Sequence, residues 1–84
     1  MLKAAPGTCA VRRMSVNGQT SLELDGLTEE QAIEKMRILN AKRTDSFDDL
    51  FSVITEFGLG TGPRVIDPQF ALAQYQYQLR LKNG

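Results

Sequence analysis

Few residues in this chain have types and spacing that could do chemistry. They are the lone Cys9, the carboxylate pairs Glu29-Glu30 and Asp48-Asp49, the cation pairs Arg12-Arg13 and Lys42-Arg43, and the glycines at 58, 60 and 62. A thiol attacks as its thiolate, which a neighbouring base must generate, and the sequence has no histidine to serve. Cys9 therefore reads as a small apolar residue or a bystander. Adjacent carboxylates could act as acid and base or hold magnesium. Both pairs fall in expected helix first turns, where the attraction of the helix dipole for anions already accounts for them. Residues 45–49 do not match a calcium loop. The glycine run lacks both the G-x-G-x-x-G spacing and the Lys-Ser/Thr of a phosphate cradle, so it reads as a helix stop and hinge. No catalytic residue, metal-ligand set or cofactor is expected, and the chain is not expected to be an enzyme.

The totals narrow the classes further. A chain of 84 residues forms one small domain with a marginal core. Its 42% apolar and 24% charged content is that of a globular protein, not a disordered one. Ten cations balance ten anions, giving no net charge. That argues against a nucleic-acid binder, whose affinity rests on clustered cations, and leaves Arg12-Arg13 and Lys42-Arg43 as solvated charges. It also means that copies of the chain do not repel one another at long range. One cysteine excludes an internal disulfide. Neither a signal-peptide pattern nor a membrane-spanning run is present. Cytoplasmic localisation is the default expectation, with export by a route needing no cleavable signal left open.

The elements that would position these residues follow from local patterns. Residues 1–8, with Pro6 and Gly7, read as a flexible arm. Residues 9–25 read as a β-hairpin around Asn17-Gly18. A three-residue loop, 17–19, would set Val16 opposite Thr20, Met14 opposite Leu22, Arg12 opposite Leu24 and Arg13 opposite Glu23. Thr28-Glu29-Glu30-Gln31 fits a capping box, so a first helix starts there and fades near Ala41. Its inward stripe would be Ile33, Met36 and Leu39 or Asn40, with Leu27 over the first turn. Phe47, Leu50, Phe51, Ile54 and Phe57 then repeat at helical spacing and predict a second helix from Asp45 or Ser46, its phenylalanines in the core and Gly58 stopping it. The short break predicts a helical hairpin. Residues 58–66 read as a glycine-rich joint.

Residues 67–84 carry the functional reading. Asp67 suits an N-cap and Pro68 the first helical position, and the segment contains no Val, Ile or Thr. The segment is expected to be helical, although the alternation over residues 74–82 leaves a strand as the alternative. As a helix it is apolar on two sides, with Phe70, Ala73, Tyr77 and Leu81 on one and Leu72, Tyr75 and Leu79 on another. A helix apolar on two sides needs cover on both. The expected partner-binding residues are therefore Phe70, Leu72, Tyr75, Tyr77, Leu79 and Leu81, the tyrosines suited to contacts that bury a ring and leave its hydroxyl a polar neighbour.

The stretch Asp67-Pro68-Gln69-Phe70-Ala71-Leu72-Ala73-Gln74-Tyr75-Gln76 resembles a segment of needle subunits from bacterial type III secretion systems, and more loosely their inner-rod subunits. The resemblance covers about ten residues of the chain. It implies a small helical subunit that polymerises through such helices and is exported without a cleavable signal. The hairpin ahead of the helices departs from that pattern. The fold class expected is α+β, with an N-terminal β-hairpin, a helical hairpin and a C-terminal helix. The function expected is protein–protein association or assembly, with a protein partner or another copy of the chain. The alternatives are a nucleic-acid-binding regulator using Arg12-Arg13 and a needle- or rod-like subunit.

Overall fold

The computed structural model describes residues 2–60 and 67–83. Asn17-Gly18 does turn the chain. The Gly18 amide donates to the Ser15 carbonyl at 2.9 Å, the Ser15 amide donates to the Gln19 carbonyl at 2.9 Å, and Gly18 takes φ 91°. That is a three-residue loop whose last position needs the left-handed conformation glycine adopts without strain. The loop is Val16 to Gly18, one residue earlier than expected. Strand β1 (Cys9–Met14) and strand β2 (Thr20–Leu27) leave it antiparallel, with Met14 opposite Thr20, Arg13 opposite Ser21 and Arg12 opposite Leu22. Two register slips follow, so that Val11 faces Leu24 and Cys9 faces Leu27. The extra residues fall on β2, and Glu23, the first of them, puts Leu22 and Leu24 on opposite faces. The expected Met14–Leu22, Arg12–Leu24 and Arg13–Glu23 pairs therefore do not form. Arg13 instead pairs with Asp49, 3.5 Å away.

Helix α1 (Glu29–Ala41) begins as its sequence predicts. The Thr28 hydroxyl accepts from the Gln31 amide at 3.2 Å, and the Gln31 carboxamide accepts from the Thr28 amide at 3.1 Å. The predicted second helix is absent, and Leu50–Thr55 is strand β3. It pairs antiparallel with β1, from Met14 opposite Leu50 to Cys9 opposite Thr55. Val53, Ile54 and Thr55 are β-branched and lose side-chain freedom in a helix, so they suit the strand once β1 is there to pair with it. The helical spacing was a coincidence of a strand that buries both faces. Val53 packs with Val11 under α1, while Ile54 packs with Ala10 on the other side. Gly58 ends a strand rather than a helix. Its amide donates to Thr55, the Thr55 amide donates to the Leu59 carbonyl, and Gly58 sits at φ 78°, repeating the geometry of the first hairpin. Phe47 and Phe57, expected in a helical core, are exposed.

The sheet order is β2-β1-β3. Both outer strands run antiparallel to β1, so they are parallel to each other, and α1 makes the crossover between them over one face. Val11, Ala32, Met36 and Val53 are buried between α1 and the sheet, with Leu27, Ile33, Leu39 and Phe51 packed around them. The Asn40 carboxamide locks α1 to β3, donating to the Phe51 carbonyl and accepting its amide, both at 2.9 Å. On the opposite face, Ala4 and Leu2 cover Ala10 and Ile54. Residues 2–8 are therefore docked rather than loose. The Ala4 amide donates to Thr55, the Ala5 amide to the Asp25 carboxylate and the Gly7 amide to Glu56. The arm covers apolar surface that the sheet would otherwise expose. Of the glycine-rich joint expected over 58–66, residues 61–66 lie outside the described residues.

Helix α2 (Pro68–Asn83) resolves the helix-or-strand alternative in favour of helix. The Asp67 carboxylate accepts from the amides of Gln69 at 3.0 Å and Phe70 at 3.2 Å, capping it as expected. The alternation of residues 74–82 is overridden because no residue after the cap is β-branched. The described residues therefore form an α+β fold, a three-stranded antiparallel sheet with two helices.

Candidate association surface

Among the described residues, most groups singled out for chemistry have a structural task. Asp48 accepts from the Thr44 amide at 2.8 Å and the Asp45 amide at 3.1 Å, and these amides hold its carboxyl below the usual aspartate range. Asp49 is the partner of Arg13. Arg12 donates from Nε to the Ser52 hydroxyl at 3.2 Å on the other face of the sheet, so the two arginines do not form one basic patch. Glu29 and Glu30 open α1. Cys9 is half-buried in an open cleft of about 470 Å³ beside Leu27, Glu29, Glu56 and Phe57. Burial, and next the Glu29 carboxylate, push its thiol pKa up, the opposite of what a nucleophile needs. Among the described residues no three potential metal ligands come together. No described helix is long and apolar enough to cross a membrane.

Sequence reasoning missed Arg43, which it left as a solvated charge. The side chain is only 12% exposed. It ion-pairs with Asp67, donates toward the Ser46 carbonyl and lies 5.4 Å over the Phe70 ring. One guanidinium thus grips both the cap and the first turn of α2, a stacked and hydrogen-bonded role that suits arginine and not lysine. The Asp67 pKa is lowered chiefly by the Arg43 hydrogen bond. The partners are 24 residues apart, and no local pattern links them.

α2 also meets the first hairpin, where the Gln74 carboxamide lies beside Gly18. Among the described residues no strand and no stretch of α1 runs alongside it. The Cα radius of gyration is 13.3 Å, against about 12 Å for a compact chain of this length. Phe70, expected as a contact residue, is instead 2% exposed, and Ala73 is equally buried. Phe70 anchors the helix to its own chain and is removed from the surface set. Tyr77 continues that line half-buried, and Leu81 ends it exposed, a turn further along.

The other side of α2 faces solvent. Leu72 is 56% exposed, Tyr75 58% and Leu79 38%. At about 100° per residue these three lie within an arc of about 60°. Gln69, Gln76 and Gln78 flank them, and residues 68–83 include no acidic side chain. Arg80 and Lys82 occupy the last turn, where the helix dipole favours cations. The arrangement offers a narrow apolar seam on a capped, anchored rod and no reactive group. No family model matches the chain, and no curated protein or solved structure matches it either.

Proposed function

We propose that the chain is a non-catalytic protein-association module whose contact surface is the outward seam of α2, Leu72, Tyr75 and Leu79. One observation carries the reading: three large apolar side chains share a helix face turned away from the body that anchors the helix. Scattered exposed apolar residues are ordinary, but a contiguous stripe on a projecting element is the form helix-in-groove and helix–helix contacts take. A nucleic-acid role gains no support, since Arg12 and Arg13 point to opposite faces and each is engaged within the chain.

The test is stability. Leu72→Lys and Tyr75→Lys, singly, should shift the urea midpoint by no more than about 0.5 kcal/mol of stability, as at ordinary surface positions. A loss of about 2 kcal/mol or more in either variant means that the seam serves the fold, and the reading fails.

A further inference from the structure

We propose that the occupant of the α2 seam is α2 of a second copy, packed antiparallel about a two-fold axis near Tyr75. This rests on the association reading and names its partner. Leu72, Tyr75 and Leu79 are spaced by three and then four residues, the a-d-a positions of a heptad, and they form the narrow seam typical of paired helices. The pattern is self-complementary. A two-fold axis between residues 75 and 76 brings Leu72 against Leu79 of the second copy and Tyr75 against its counterpart, the reciprocity an isologous interface requires.

Charge selects the partner and its direction. The only charged side chains on α2 are Arg80 and Lys82. Parallel pairing would crowd four cations at one end. Antiparallel pairing separates them and sets Lys82 about 3 Å along the axis from Asp67 of the second copy, at about 1.5 Å rise per residue. That carboxylate remains 22% exposed beside Arg43. A chain with no net charge also meets no long-range repulsion from its copy.

Area sets the strength. The three seam side chains expose about 300 Å² per copy, so pairing buries well under the roughly 1,200 Å² of a standard stable interface. The dimer is therefore weak and in rapid exchange, populated as concentration rises.

Sedimentation of the full chain from about 10 μM to about 1 mM should show the mean mass climbing from the 9.3 kDa monomer toward twice that value. Leu72→Lys should weaken the self-association at least tenfold, about 1.4 kcal/mol. Direction is read by disulfide trapping in a Cys9→Ala background. Oxidised Tyr75→Cys should link to itself, and a mixture of Leu72→Cys with Leu79→Cys should yield the mixed dimer in preference to either homodimer. A chain that stays monomeric at the highest concentration overturns self-pairing. Leu72→Cys linking chiefly to itself overturns the antiparallel arrangement. Either failure leaves the association reading to its own stability test, because a seam neutral to folding could still serve a different partner.

Discussion

Arg43 shows how much one side chain can carry in a small domain. It joins the loop after α1 to the cap and first turn of α2 through an ion pair, a carbonyl contact and a stacked ring. Its Nε is buried without an acceptor among the described residues, so the guanidinium is not ideally satisfied. Removing it nevertheless strands Asp67, which then caps α2 without its cation. Arg43→Met keeps the apolar stem over Phe70 but deletes the charge. We expect a loss of about 2 kcal/mol, read from urea unfolding, the size of one charged hydrogen bond. A midpoint equal to that of the parent would mean that the pair contributes nothing net, as exposed pairs often do. Thr28 and Asp67 were legible as caps because a cap is written within four residues. Arg43 was not, because its partners are distant in sequence.

At the scale of elements, α1 and α2 announced themselves and β3 did not. Caps identify both helices locally, and α2 also lacks β-branched residues, whereas β3 mimicked a helix by burying residues on both faces. The structure also divides the chain into a sheet-and-α1 body, with cores on each face of the sheet, and a helix held mainly by Phe70 and Ala73. Phe70→Ala, by analogy with other buried aromatic truncations, removes about 3–5 kcal/mol of local stabilisation. Amide hydrogen exchange in this variant should rise steeply along residues 68–83 while β1 keeps most of its protection, the behaviour of a separate cooperative unit. Equal loss of protection in β1 and α2 would show that α2 belongs to the same unit as the sheet, and the picture of an appended rod would be wrong.

For the molecule as a whole, three aspartates each hold one connection among the described residues. Asp25 receives the arm through the Ala5 amide, Asp48 closes the loop before β3, and Asp67 caps α2 beside Arg43. Each has its pKa lowered in the folded state, Asp25 and Asp48 first by backbone amides and Asp67 first by Arg43. A folded pKa below the unfolded one means that the stabilisation is present above the unfolded value, near 4, and is lost as pH falls through the folded value. Thermal midpoints should therefore hold as pH is lowered to about 4 and then drop, with Asp67→Asn flattening part of the fall. A midpoint indifferent to pH down to about 2 would remove these carboxylates from the account.

The α+β class, the Asn17-Gly18 turn, the capping box of α1 and the cap of α2 were determined by residues close in the chain. Each depends on backbone groups within a few positions, so the local sequence suffices. Tertiary structure alone decided that residues 50–55 join the sheet, that the arm is docked and that Phe70 turns inward while Leu72, Tyr75 and Leu79 face outward. Those outcomes depend on which distant surface is present to receive a side chain. A period of apolar residues records that a face is buried, but not what buries it.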